Sequence, residues 1–223
     1  MKIFKDPFLI AEAGINHNGN IKRAFKLVDK AKKYGASAIK FQTYQTEKRT
    51  KKNSPIFNIL KKCELSFHDF EKLKKYCDKK KIIFFSTPFD IESVHFLNEI
   101  NVKLFKVASF DIGNYELIGE ILKTKKPIIF STGMASLKSI ITLHKKANKK
   151  KINHCFLHCV SSYPNKIENS YLNNLIYLNK RLSCPVGLSD HTDGIKTSIY
   201  SYILGAKIIE KHFKISAKDN CVD

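Results

Sequence analysis

Two lysines stand where lysines are costly. Lys40 lies between Ile39 and Phe41, and Lys106 between Phe105 and Val107, in runs otherwise rich in β-branched and aromatic residues. An unpaired ammonium buried in such a run costs several kcal/mol, so each requires a counter-charge. Two sources are open: carboxylates such as Glu12 and Glu210, or a bound dianion such as a phosphate ester. Serines close several of the same runs (Ser86, Ser109, Ser131, Ser161 and Ser189). Serine is an ordinary turn former, but with the lysines these residues make a phosphate cradle. His191 and His212 end two successive apolar runs, beside Asp190 and Glu210. If those runs are neighbouring strands, about 4.8 Å apart, the two imidazoles can share one divalent ion.

The elements that must position these groups recur with a regular beat. Short β-rich runs fall at 8–14, 37–44, 81–88, 102–109, 127–134, 154–162, 185–191 and 206–213. Between them lie stretches with apolar residues three and four apart, such as Ala24, Leu27, Val28 and Ala31, closed by Gly35. Another opens at Ser66 with Asp69 three residues on, a capping-box-like start. A third is expected from about Thr192 to Leu204, stopping at Gly205. Strand–helix alternation implies parallel strands with right-handed crossovers. Eight strands predict an α/β fold of the closed (β/α)8 TIM-barrel type, a single domain over 1–223 with its site at the strand C-termini. An open doubly wound sheet is the competitor, but GINHNGN matches its glycine-rich fingerprint poorly. Alternation places Glu12, Lys40, Gln42, Lys106, Ser131, Ser189, His191, Glu210 and His212 on the inward faces. No helical pattern follows 206–213, so the barrel reads as lacking its last helix and as C-terminally incomplete.

Composition narrows the function classes. The net charge is +20, yet only Arg23, Arg49 and Arg181 are arginines. Arginine is the usual tool for bidentate base and phosphate recognition. Lys72, Lys74, Lys75, Lys79, Lys80 and Lys81 instead have helix-surface spacing, so a solvated surface is expected and no nucleic-acid partner. No apolar run approaches the roughly 20 residues of a membrane span, and the start has no secretion signal. A cytoplasmic protein with no membrane partner is expected. The six cysteines contain no CxxC pair and read as free thiols. His154-Cys155-Phe156-Leu157-His158-Cys159 looks like a metal cluster, but it falls in a strand, where neighbours point to opposite faces.

The chain resembles the sialic acid synthase family over nearly its whole length. The motifs, in order, are AEAGINHNG (11–19), KFQTY (40–44), ELSFHDF (64–70), FFSTPFD (84–90), FKVASFD (105–111), STGM (131–134), HCVSSYP (158–164), GLSDHT (187–192) and GAKIIEKHF (205–213). The resemblance implies a (β/α)8 barrel that condenses phosphoenolpyruvate with N-acetylmannosamine or a related amino-sugar aldehyde. It also implies a divalent metal, Mn2+ or Mg2+, held by His191 and His212. Lys40, Lys106, Ser109, Ser131 and Ser189, helped by Tyr163, would hold phosphoenolpyruvate. Glu12 and Asp223 would face the aldehyde or water, and Asp111 the sugar. Ser161 stands where sialate-specific members often carry asparagine, which leaves the acceptor open between N-acetylmannosamine and the precursors of legionaminate and pseudaminate. A C-terminal antifreeze-like domain, swapped into the partner's site in a homodimer, is absent from these residues.

Two rivals share the barrel. One is a Schiff-base aldolase using Lys106 or Lys40 as its amine, with no metal. The other is an inactive barrel that only binds anions.

Overall fold

The computed structural model describes residues 7–216, 218, 219 and 221. Its elements are β1 (Phe8–Gly14), α1 (Ile21–Lys33), β2 (Ala38–Thr43), α2 (Thr46–Arg49), α3 (Phe57–Cys63), α4 (Phe67–Lys80), β3 (Ile83–Pro88), α5 (Ile91–Glu99), β4 (Phe105–Val107), α6 (Tyr115–Lys123), β5 (Ile128–Ser131), α7 (Leu137–Lys149), β6 (His154–His158), α8 (Asn173–Arg181), β7 (Val186–Asp190), α9 (Lys196–Ile203) and β8 (Ile208–His212). The strands follow chain order in a closed parallel barrel, the expected (β/α)8 class. All eight expected strands form. After β8 the described residues contain no helix.

The turns that launch the helices are set by short polar side chains. Asn20 accepts from the Arg23 N–H, Ser66 from Asp69, Asp90 from Ser93, Asn114 from Leu117 and Ser136 from Ser139. Each satisfies one of the orphan donors of a helix start. The Ser66 hydroxyl also donates to the Asp69 carboxylate at 2.9 Å, a side-chain contact in place of the box's second backbone bond. At its end, α1 carries Lys30, Lys32 and Lys33, which suit the negative pole of the helix dipole, and Gly35 follows at φ +82°. One boundary differs from expectation. The helix expected from Thr192 begins only at Lys196, because Asp190 captures both the backbone N–H (2.9 Å) and the hydroxyl (2.8 Å) of Thr192. Gly194, at φ +73°, then turns the chain.

By packing the chain divides into two compact units. One comprises 1–10 and 104–211. Here β4 to β8 pair in parallel, with Lys106 opposite Ile129, Phe130 opposite Phe156, Leu157 opposite Gly187 and Ser189 opposite Glu210. Phe130 and Phe156 stack with centroids 5.2 Å apart. The other comprises 11–103 and 212–223. There β2 and β3 pair from Ala38–Ile83 to Thr43–Pro88, over a core of Phe41, Phe70 and Phe84. Its C-terminal segment is tied down by Arg23, which meets the Asp219 carboxylate at 3.1 Å and donates to the Asn16 carbonyl at 2.7 Å. The lysine row of α4 carries no buried member. Lys74 pairs with Asp78 and Lys80 with Asp29, as a solvated face does.

Gly187 shows how tightly β7 and β8 are drawn together. A Cβ there would lie 2.1 Å from the Ile208 carbonyl oxygen, so backbone would have to move. Gly187→Ala is expected to cost roughly 3 kcal/mol or more in urea unfolding. Gly119→Ala, inside α6 with open space around it, is expected to be neutral or to add about 0.5–1 kcal/mol.

Candidate active site

In the first unit, five side chains from β4, β8, the end of β7 and the loop after β6 join into one chain of contacts. Lys106 on β4 donates to both Glu210 oxygens, at 2.7 and 2.9 Å. β4 and β8 are not neighbours in the strand order, so this ion pair crosses the interior and fixes both side chains inward. The Ser189 hydroxyl donates to the same carboxylate at 2.9 Å. Two residues on, along the same face of the strand, His191 brings Nε2 to 3.3 Å from Ser189 Oγ and 3.1 Å from the Tyr163 hydroxyl. The Tyr163 ring, itself exposed, stacks on the imidazole at 4.1 Å.

The state of His191 follows from its other nitrogen. Nδ1 lies 2.7 Å from the Val160 carbonyl oxygen. A carbonyl only accepts, so Nδ1 carries the proton and the neutral ring presents its lone pair at Nε2. Burial lowers the pKa of His191, against the carbonyl contact that raises it, and this favours the neutral form. The Ser189 proton is committed to Glu210. An imidazole with Nδ1–H anchored on a carbonyl and Nε2 facing oxygen groups is the form that ligates a metal ion. The residue therefore fits the ion that the resemblance implies.

In the second unit Lys40 meets Glu12 at 2.8 Å and donates to Thr87 at 3.2 Å, all three buried. Of the two counter-charges open to the lysines, each thus has a carboxylate. His212 begins the C-terminal segment of this unit.

The remaining expected residues fall as follows. Ser109 Oγ accepts from the Gly133 N–H at 3.1 Å and lies 2.9 Å from Cys159 Sγ. Ser131 is buried at the end of β5. Asp111 is buried in the 3-10 turn after β4, where its carbonyl accepts from the Asn114 N–H at 2.9 Å. Ser161 is exposed, and its Oγ would be 2.6 Å from a Cβ on Gly133, so the STGM and HCVSSYP turns touch. Asp223 lies outside the described residues. Asp190, read as a neighbour of the histidines, turns instead to the opposite face. It binds Thr192, Ser198 (2.6 Å) and Lys211 (3.0 Å). Burial alone would raise its carboxyl, but these hydrogen bonds outweigh it and lower the pKa. Strand alternation separates residues 190 and 191, a signal already in the sequence. The Val160 carbonyl was beyond side-chain reasoning, since any residue supplies a carbonyl.

The run 154–159 does not converge on one point. His158 Nε2 meets the Ser170 carbonyl at 2.8 Å, while Cys155 is enclosed in the core. His154 instead meets His144 of α7, with Cys184 nearby, and neither partner is close to it in sequence.

A model of the NeuB family matches residues 27–223. The chain is 45% identical over 212 residues to an uncharacterized protein of Methanocaldococcus jannaschii, covering 93% of this chain and 62% of that protein. It is 37% identical over 228 residues to the N,N'-diacetyllegionaminic acid synthase of Campylobacter jejuni, covering 95% of this chain and 68% of the relative. The crystal structure of the N-acetylneuraminic acid synthetase of Leptospira borgpetersenii, in complex with citrate, aligns with a TM-score of 0.92 at 39% identity, covering 95% of this chain and 74% of that one. This chain therefore spans less than two thirds of the length of the first of these relatives.

Removing one partner of a buried pair strands the other charge. Lys106→Met is expected to cost about 3–5 kcal/mol in urea unfolding, and Lys106→Met/Glu210→Leu clearly less than the single change. A second expectation concerns His17, which accepts from the Gly19 N–H at 3.1 Å in the AEAGINHNG turn. Burial, reinforced by Arg23, lowers its pKa to about 4. The unfolded chain takes up this proton first, near 6.5, so stability falls as the pH drops from 6.5 towards 4. Between pH 7 and 5 the loss from this residue is about 2 kcal/mol. His17→Gln should flatten the pH dependence of unfolding by that amount.

Proposed function

Because the chain belongs to the NeuB family, we propose that it is the phosphoenolpyruvate-condensing barrel of a nonulosonate synthase. The reaction class is carbohydrate biosynthesis. An amino-sugar aldehyde and phosphoenolpyruvate give a sialic-acid-type sugar acid and phosphate. The observation that carries the reading is the row Lys106–Glu210–Ser189–His191, buried up to Ser189 and half-buried at His191, which sets an ammonium and a neutral imidazole along one contact chain of one unit. The family's synthases are generally metal-dependent. His191 and His212 are the proposed ligands, of Mn2+ or Mg2+, and a bound ion would supply Lewis-acid polarisation of the aldehyde and neutralise developing charge.

The chain's own residues carry the rest. Lys106 and Lys40 neutralise the phosphate of phosphoenolpyruvate, with Ser109, Ser131, Tyr163 and, once its hydroxyl turns from Glu210, Ser189 as its hydrogen-bonding partners. The Glu210 carboxylate keeps the Lys106 ammonium charged and aimed inward before substrate arrives. Carbon 3 of phosphoenolpyruvate forms the new C–C bond to the aldehyde carbon, the aldehyde oxygen takes the C=O electron pair and then a proton from solvent, and carbon 2 is left cationic. Water adds to carbon 2, and Glu12 accepts its proton. The C–O bond to the bridging oxygen then breaks, and phosphate leaves with that oxygen and its electron pair. Asp111 and Ser161 stand on the turns after β4 and β6, where they bear on acceptor choice. N-acetylmannosamine and the diacetamido sugars of legionaminate and pseudaminate are the candidates. We further propose a homodimer as the working assembly.

Oxygen-18 in the bridging ester position of phosphoenolpyruvate distinguishes the route. The label is expected entirely in the released phosphate; label retained in the sugar acid rejects it. Phosphate release should require both an amino-sugar aldehyde and Mn2+ or Mg2+. His191→Ala should lower it on the order of 100-fold or more. Borohydride trapping of a pyruvate adduct on Lys106 or Lys40, with activity surviving a chelator, would mean an aldolase instead.

A further inference from the structure

A second cluster of donors lies at the other end of the strands of the same unit. His144 on α7, His154 at the first residue of β6 and Cys184 just before β7 each offer one donor atom, all within 4.8 Å of one another. Val160, whose carbonyl anchors His191, follows His154 by six residues, roughly 20 Å at the rise of a strand. The cluster is therefore separate from the candidate active site.

We propose that His144, His154 and Cys184 form a binding site for a borderline-soft divalent ion of the zinc class, which clasps α7, β6 and the loop before β7. The hydrogen bonds prepare the donors. His154 Nδ1 lies 2.8 Å from the Ile152 carbonyl oxygen, so it holds the proton and leaves the lone pair on Nε2. His144 Nδ1 lies 2.8 Å from that Nε2 and supplies the proton between the rings. On its far side His144 Nε2 sits 3.1 Å from both Ser183 Oγ and Asn148 Nδ2. Both imidazoles are buried, and Cys184 is half-buried.

The ion would take the place of the bridging proton. That proton moves to His144 Nε2, where Ser183 Oγ accepts it, and Nδ1 becomes a ligand. The Cys184 thiol gives its proton to solvent and binds as thiolate, so one proton leaves per ion. Bonds of about 2.0 Å to nitrogen and about 2.3 Å to sulfur set tetrahedral donors roughly 3.3–3.7 Å apart. The imidazole nitrogens open by about half an ångström from 2.8 Å, and the thiolate closes by side-chain rotation. Water completes the fourth position. Two imidazoles and a thiolate select zinc over magnesium or manganese. A clasp at the N-terminal strand ends serves stability, the usual role of that face of a barrel.

Cobalt(II) is the probe, because a thiolate ligand gives it an intense near-ultraviolet charge-transfer absorption. One equivalent of Co2+ should produce this band in the unmodified chain and equally in His191→Ala, and zinc should abolish it. Cys184→Ser should lose the band, and zinc should shield Cys184 from alkylation as read by peptide mass mapping of the unmodified chain. Zinc at about 100 times its dissociation constant should raise Tm by roughly 5–10 °C, with no rise in His154→Gln. No band and no shielding of Cys184 would overturn the proposal, as would a band that persists in Cys184→Ser. A band lost only in His191→Ala would place the ion elsewhere and equally reject it.

Discussion

The buried Lys106–Glu210 pair is the constraint on which the first unit's chemistry rests. Two charges leave water together, and each is tolerated only because the other is 2.7 Å away. The carboxylate also accepts a hydrogen bond from the Ser189 hydroxyl, so the lysine on β4 and the serine on β7 are oriented by one group on β8. That arrangement continues to His191 and, through it, to Tyr163. Well-packed apolar residues would fill the same space at less cost in desolvation. An interior carrying ions in a row is therefore better explained by what it binds than by what it stabilises.

The second unit repeats the device with Lys40 and Glu12, 2.8 Å apart. In both, a carboxylate holds the ammonium in place by a direct ion pair. Under the proposed reading a phospho-dianion enters a field already organised for it, which is how preorganised sites avoid reorganisation during reaction. Because each lysine is already neutralised by its own carboxylate, the dianion's pull is partly offset. Binding then depends on the serine hydroxyls and backbone N–H groups as well as on charge.

Much of this was legible in the sequence. The β-rich runs carried the eight strands, and their alternation the pairing of the two lysines with Glu12 and Glu210. Ser66, with Asp69 three residues on, marked a helix start because a short polar side chain can reach the third N–H. What was illegible arose where one residue's geometry is set by a group without a sequence signature. The Val160 carbonyl fixes the His191 tautomer, and any residue could have supplied it. Asp190 drew Thr192 out of the expected helix because a turn competes locally with a helical start. His144 and Cys184 lie 10 residues before and 30 after His154, and only the packing of α7 against β6 shows that they meet.

His191 and His154 are held by the same device and made different by their surroundings. Each sets Nδ1–H on a backbone carbonyl, at 2.7 and 2.8 Å, and so presents an Nε2 lone pair. Around His191 the neighbours are oxygens: the Ser189 and Tyr163 hydroxyls, with the Glu210 carboxylate behind. Around His154 they are a second imidazole and a thiol. Hard cations prefer the first set and borderline-soft ones the second. One strand thus carries opposite ligand chemistry at its two ends: the carbonyl that orients His191 follows the C-terminal end of β6, and His154 opens the N-terminal end. Ions of the two classes would therefore sort by donor type, not by competition for one site.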